Sequence, residues 1–303
     1  MFNKFIAAIL PFFPGKFIWI FSKDYISGET IEDAMRVSKE LNTQNIKVTL
    51  DVLGEFITTT EEAEENKNEY LNLIDVTYKN GIDGNFSVKP TSFGLLLDKE
   101  LCFNHIREIV AKAASYNNFI RIDMEDSPTT DDEIALFRRL KTEYPANVGL
   151  VIQAYLKRTL NDIKELSDLN TPSIPLSFRL CKGIYIEPEK IAYKKYEEIN
   201  QNFLENLEFM FMNKIHVGIA THDKPVIEGA YRLIRKYNVP KNMYEFQMLY
   251  GVTPKLRESI VNEGHTMRVY VPYGKKWFNY STRRLKENPK IASHIMKAIF
   301  FKG

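Results

Sequence analysis

The chain has 303 residues, 44% of them hydrophobic and 26% charged, which excludes a disordered or fibrous chain and allows one large α/β domain or two smaller ones. A formal net charge of +2 leaves no large electrostatic footprint, so no nucleic-acid partner is expected. The two cysteines, Cys102 and Cys181, stand far apart and in no CxxC, which excludes a disulfide framework or a thiolate zinc site and fits a reducing compartment.

The chain opens on FNKFIAAILPFFPGKFIWIF, nearly as apolar as a membrane span. Pro11, Pro14 and Lys16 interrupt it below the roughly 18 residues that a span requires, and no A-x-A-like cleavage site follows. Two short apolar helices with a proline break fit better, docked on the protein body or resting on a membrane surface. An N-terminal helical arm is expected over residues 1–40, ahead of one catalytic domain over 41–303.

Eight short β-rich runs follow: IKVTL (46–50), NFSVK (85–89), FIRID (119–123), GLVIQ (149–153), PLSFR (175–179), HVGIA (216–220), YEFQM (244–248) and MRVYV (267–271). Most lead into a helical stretch with caps. After the third, Thr130 and Glu133 predict a capping box, with Ile134, Phe137, Leu140 and Tyr144 on one face. After the sixth, Pro225 suits a first helical turn, and Val226, Ala230, Leu233 and Tyr237 predict the buried stripe. Strand and helix alternating over roughly 250 residues is the rhythm of a (β/α)8 barrel. The rival is a doubly wound open sheet, which often carries G-x-G-x-x-G after its first strand. Here LDVLGEF stands there, without a glycine-rich turn, so the barrel is favoured.

Active sites of such barrels form at the C-terminal strand ends. Those ends carry Asp51 and Glu55, Lys89, Asp123, Gln153, Arg179 with Lys182, the run Thr221-His222-Asp223, Gln247 and Tyr270. One polar strand end would simply enter a solvated loop; a polar crown on every strand marks a pocket. With one histidine and no clustered thiolates, no metal is expected in it. Lys89 and Lys182 leave Schiff-base chemistry open. The wealth of Arg, Lys and amide donors suits an anionic, non-covalently held cofactor and an anionic substrate. Near the end, YSTRRLKENP places Tyr280 at i,i+3 and i,i+4 from Arg283 and Arg284, so all three can reach one region above a helix. The arginines either cap the last carbonyls of that helix or await an anion.

RLCKGIY (179–185) together with YSTRRLKEN resembles the proline dehydrogenase family, in its short monofunctional bacterial form. KDYISGETIEDAM, LDVLGE, SVKP, IDMED, GLVIQAYLKR, ATHD, FQMLYG and RVYVPYG resemble the family's lead-in and strand ends in order, at barrel spacing, through nearly the whole chain. The resemblance implies a distorted (β/α)8 TIM-type barrel that binds FAD non-covalently. It implies oxidation of L-proline to Δ1-pyrroline-5-carboxylate by hydride transfer from C5 to the flavin N5, with electrons passed to a quinone. A separate pyrroline-5-carboxylate dehydrogenase would take the product. The enzyme would be cytoplasmic, with peripheral contact at the inner face of the membrane as a second expectation.

By the same resemblance, Arg283 and Arg284 would clamp the proline carboxylate, with Lys89 and Asp123 close by in the pocket. Tyr185, Leu249, Tyr270 and Tyr280 would wall the ring, and Tyr280 would crowd the carbon that carries the hydroxyl in hydroxyproline. Asp123, Arg179 and Lys89 form the implied catalytic set. Gln153, Arg179, Lys182, Gly183, Thr221, His222, Asp223 and Glu287 would hold the cofactor. Glu55 would pair with Arg283 as a gate over bound substrate. Ile186 stands where some longer members place a tryptophan beside the flavin. A flavin barrel acting on another cyclic amino acid, a Schiff-base lyase and a non-catalytic, membrane-attached binding protein are the competing functions.

Overall fold

The computed structural model describes residues 22, 25–54, 57–278 and 280–281. Eight parallel strands close in chain order into a barrel: β1 (Ile46–Val52), β2 (Gly84–Val88), β3 (Ile120–Ile122), β4 (Val148–Gln153), β5 (Ser177–Cys181), β6 (His216–Ala220), β7 (Tyr244–Leu249) and β8 (Met267–Tyr273). β8 closes onto β1 from Ile46↔Met267 to Val52↔Tyr273. Helix α1 (Ile31–Asn42) precedes β1. Helices α2 (Thr60–Lys79), α3 (Lys99–Ser115), α4 (Thr130–Glu143), α5 (Thr159–Leu166), α6 (Tyr196–Met212), α7 (Lys224–Lys236) and α8 (Pro254–Asn262) follow the first seven strands in turn.

The period-two alternation of each strand sorts its side chains between two environments. Val48, Leu50, Phe86, Ile122, Phe178 and Phe246 face outward and are fully buried. Each such side chain contributes about 1.5–3 kcal/mol of burial against the helices. The alternate positions Thr49, Ser87, Arg121, Arg179, Glu245 and Arg268 are buried or half-buried polar residues that hydrogen-bond to other inward-facing groups inside the barrel. The apolar core is therefore the shell between sheet and helices, and the axis is a polar column leading up to the strand ends.

Thr30 and Asp33 form a capping box that starts α1, and its Ala34, Met35, Val37 and Leu41 join the main core. The boundary expected after residue 40 falls inside this helix. α1 packs on β1 and β8, the place that a helix after β8 takes in a regular barrel. The helical residues after β8 lie elsewhere: Tyr280 packs with Ile26 and with Leu53, just past the end of β1. Among the described residues no helix is long and apolar enough to cross a membrane; the apolar opening, apart from Ser22, lies outside them.

Three local expectations are corrected. β5 runs from Ser177 to Cys181, two residues later than PLSFR suggests, because Pro175 has no N–H for a ladder. Arg179 is therefore a mid-strand residue inside the barrel. The capping box at Thr130 and Glu133 does not form: Thr129 is the N-cap, and the Thr130 hydroxyl donates to the Asp126 carbonyl at 3.3 Å. The Glu133 carboxylate instead accepts from the Glu125 N–H at 3.1 Å and the Thr129 hydroxyl at 2.8 Å, which ties down the β3–α4 loop. On α7, Ile227 and Ile234 are buried beside Val226 and Ala230, while Leu233 and Tyr237 are half-buried, so the stripe is turned toward the intervening positions.

Candidate active site

At the C-terminal ends of β1, β2, β3 and β8, one lysine and two carboxylates converge. Lys89 Nζ donates to Asp51 Oδ1 at 2.7 Å and to the Tyr270 hydroxyl at 3.1 Å, and lies 3.6 Å from Asp123 Oδ2. The Tyr270 hydroxyl donates in turn to Asp123 Oδ2 at 3.0 Å. Asp123 Oδ1 accepts from Ser87 Oγ at 2.5 Å and from Arg179 Nη1 at 2.8 Å. From the helix layer, the Tyr70 hydroxyl donates to the Ser87 carbonyl and lies 3.4 Å from Asp51 Oδ1.

The electrostatics follow from this geometry. Burial alone would raise the Asp123 carboxyl, but the charges of Arg179 and Lys89 and the hydrogen bonds from Ser87 and Tyr270 hold it below the usual range. Burial, with Asp123 beside it, pushes the Tyr270 phenol well above its ordinary value, so it serves as a neutral donor. Two cations, Lys89 and Arg179, balance two anions, Asp51 and Asp123.

Across the mouth, at the ends of β4 to β7, the donors have another character. Gln153 Nε2 donates to the Glu125 carbonyl at 2.7 Å. Lys182 pairs with Asp223 and lies 4.5 Å from the centre of the Tyr196 ring. Gly183 has φ +103°, and a Cβ there would meet the Tyr155 ring at 2.1 Å, so the position favours glycine. Thr221 Oγ1 accepts from the Asp223 N–H at 3.1 Å. His222 Nε2 accepts from the Leu249 N–H at 3.2 Å, which puts the proton on Nδ1, 3.2 Å from Thr253 Oγ1.

Residues 34–297 match the family model described as proline dehydrogenase. The chain belongs to the proline dehydrogenase family. It is 34% identical over 281 residues to proline dehydrogenase 1 of Bacillus subtilis subsp. natto, covering 93% of this chain and 91% of that one. It is 35% identical over 287 residues to the proline dehydrogenase of Deinococcus radiodurans, with the same coverage of each chain. Proline utilization A of Bdellovibrio bacteriovorus superposes with a TM-score of 0.83 at 26% identity, over 93% of this chain but 34% of that longer one.

Of the residues that the family resemblance marks, Lys89, Asp123, Arg179 and Tyr270 form one hydrogen-bonded cluster. Gln153, Lys182, Gly183, Thr221, His222 and Asp223 lie at the ends of β4, β5 and β6 or just beyond them. Leu249 ends β7, and Tyr185 sits half-buried in the β5–α6 loop, while Ile186 beside it is fully exposed. Tyr280 is buried with Ile26 and Leu53. Glu55, Arg283, Arg284 and Glu287 lie outside the described residues.

Sequence reading did not single out Ser87, and gave Asp51 no role beyond the crown. Both are legible in hindsight by alternation: Ser87 stands two before Lys89 on the same inward face, and Asp51 stands two after inward-facing Thr49. The donor set at β4 to β6 fits FAD. It supplies two cations, an amide, a hydroxyl and an imidazole, with Gly183 holding a positive φ between them.

Proposed function

We propose that this protein oxidises L-proline to Δ1-pyrroline-5-carboxylate in proline catabolism, with non-covalent FAD as the immediate acceptor and a quinone beyond it. The observation that carries this reading is the closed cluster of Asp51, Lys89, Asp123, Tyr270 and Arg179 at the mouth of a barrel that belongs to this family. Lys89 and Arg179 are each already held by a carboxylate of the cluster, and Arg283 and Arg284 are assigned to the substrate carboxylate. Lys89, Asp123 and Tyr270 would order the amine end of the pocket, with Tyr185, Leu249 and Tyr280 assigned to its apolar walls.

Gln153, Arg179, Lys182, Gly183, Thr221, His222, Asp223 and Glu287 would hold the FAD. When bound, it supplies a two-electron acceptor, and the chain contributes orientation and fixed charge. The substrate amine must be neutral to form an imine. Asp123 already accepts from Ser87, Arg179 and Tyr270, which makes it a poor base, so the proton is assigned to solvent. The same engagement argues against a Schiff base: Lys89 Nζ is taken up by Asp51, Tyr270 and Asp123, and Lys182 by Asp223.

The test is turnover of L-proline with a soluble quinone analogue, with the imine product captured by an aromatic amino-aldehyde. Stoichiometric product and reduced quinone support the reading; acceptor reduction that needs another cyclic amino acid would replace the substrate. Vesicle binding before and after removal of residues 1–22 tests separately whether the apolar opening rests on a membrane, and binding unchanged by the deletion would refute that reading.

A further inference from the structure

We infer that Glu245 is a positioning residue for the proposed oxidation, acting through Gln247 to fix Arg179. The inference rests on the function proposed above and adds a part of the site that lies below the strand ends.

Glu245 and Gln247 are successive inward positions of β7. Glu245 Oε1 accepts from Gln247 Nε2 at 2.6 Å and from Arg268 Nε at 2.6 Å, and Oε2 accepts from Arg268 Nη2 at 3.1 Å. Gln247 Oε1 accepts from Arg179 Nε at 2.6 Å. Arg179 Nη1 then reaches Asp123 Oδ1 at 2.8 Å and Ser87 Oγ at 3.1 Å. The four side chains make an unbroken line from a buried carboxylate to the cluster at the mouth.

The chemistry of an amide gives this line its direction. A carboxylate only accepts and a guanidinium only donates, so Gln247 has one orientation that satisfies both neighbours. Turned over, its NH2 would face the Arg179 Nε–H and its oxygen would face Glu245. Glu245 therefore dictates which end of the amide Arg179 meets. Arg268 keeps Glu245 anionic: burial works against the charge, yet the carboxyl is held down to about 2 by the guanidinium, with His216 also near. Gly218, paired with Glu245 across β6 and β7, clears the space, since a Cβ there would lie 2.3 Å from Gln247 Nε2.

Stability alone does not call for these groups, because well-packed apolar side chains of similar volume often replace buried ion pairs without loss. The line ends on Asp123, which is faced by Arg179, Lys89, Tyr270 and Ser87. Holding Arg179 from the far side of its guanidinium fixes the charge and direction that Asp123 and a bound flavin would meet.

Two variants test the link by different means. Glu245→Gln removes the charge and one acceptor; Gly218→Ala pushes the Gln247 amide aside and leaves every charge in place. Thr49→Val is the control, breaking the buried Thr49–Asn85 hydrogen bond of 2.6 Å on the same inner wall. Each holoenzyme is assayed for proline turnover across pH, and the absorption spectrum of its bound flavin is recorded. Glu245→Gln and Gly218→Ala are expected to lower kcat about 10- to 100-fold while proline KM stays within about threefold. They should also raise the acidic limb of the pH profile, as Asp123 loses Arg179, and shift the flavin bands. Thr49→Val should lower thermal stability and do none of these. Glu245→Asp, which keeps charge and acceptor, should recover part of kcat. Should Glu245→Gln fail to fold, Gly218→Ala decides alone.

Variants that lose only stability, with kcat per folded molecule, the acidic limb and the flavin bands matching the control, overturn the inference. A wild-type protein inert toward proline overturns the functional reading together with it; an active wild type beside unaffected variants overturns this inference alone.

Discussion

Lys89 sits nearer to Asp51 than to Asp123, at 2.7 Å against 3.6 Å. The lysine is thus seated from below by a carboxylate wholly removed from water, and Asp123 is left to Arg179, Ser87 and the Tyr270 hydroxyl. Replacing Asp51 with Asn breaks a buried charge pair while keeping the shape. The expected loss is about 3 kcal/mol in denaturant unfolding, together with a drop in kcat/KM. A variant of unchanged stability would mean that Lys89 takes its support elsewhere.

Low pH should weaken the fold through His216. Burial lowers its imidazole to about 4, against about 6.5 in the unfolded chain, so between those values the unfolded state binds a proton that the folded state refuses. Stability contributed by the neutral ring is whole above about pH 6.5 and falls by up to about 3 kcal/mol as pH drops to about 4. His216→Gln, which keeps a partner for Ser177 Oγ, should flatten that part of the stability curve. Parallel curves for the two proteins would contradict it.

Gly183→Ala places a methyl against the Tyr155 ring at a φ of +103°. Strain of about 1–2 kcal/mol is expected. The apoprotein should fold with Tyr155 and the loop backbone displaced, and that displacement should raise its FAD dissociation constant by about tenfold or more, each 1.4 kcal/mol of lost binding being a factor of ten. Fluorescence titration of apoprotein with FAD measures it, and unaltered affinity would remove Gly183 from the cofactor site.

Arg284→Ala should raise the KM for proline by about 10- to 100-fold, the range for losing a charge-assisted hydrogen bond of about 1.5–3 kcal/mol. The flavin spectrum without substrate should not change. If KM is unaltered, the carboxylate binds elsewhere.

Much of the fold was legible because alternation and helix caps recur with barrel spacing. The strand-end crown was legible because polar residues end runs that are otherwise apolar. The placement of Arg179 was not, since Pro175 sits in a β-rich run and only the ladder shows that pairing begins at Ser177. Ser87 and Glu245 were missed for a related reason. Alternation turns each inward, but their partners come only with the pairing of β2 with β3 and of β6 with β7. The pairing of Lys89 with Asp51 likewise depends on the register of β1 and β2, which no single strand encodes.

Oxidation of proline by bound FAD is tested by the visible spectrum of the purified protein, before and after adding L-proline without oxygen. A yellow protein whose flavin band bleaches on addition of proline is expected. A yellow protein left unbleached would contradict the assignment of proline as substrate. A colourless protein that took up no added FAD would contradict the cofactor and the oxidation together.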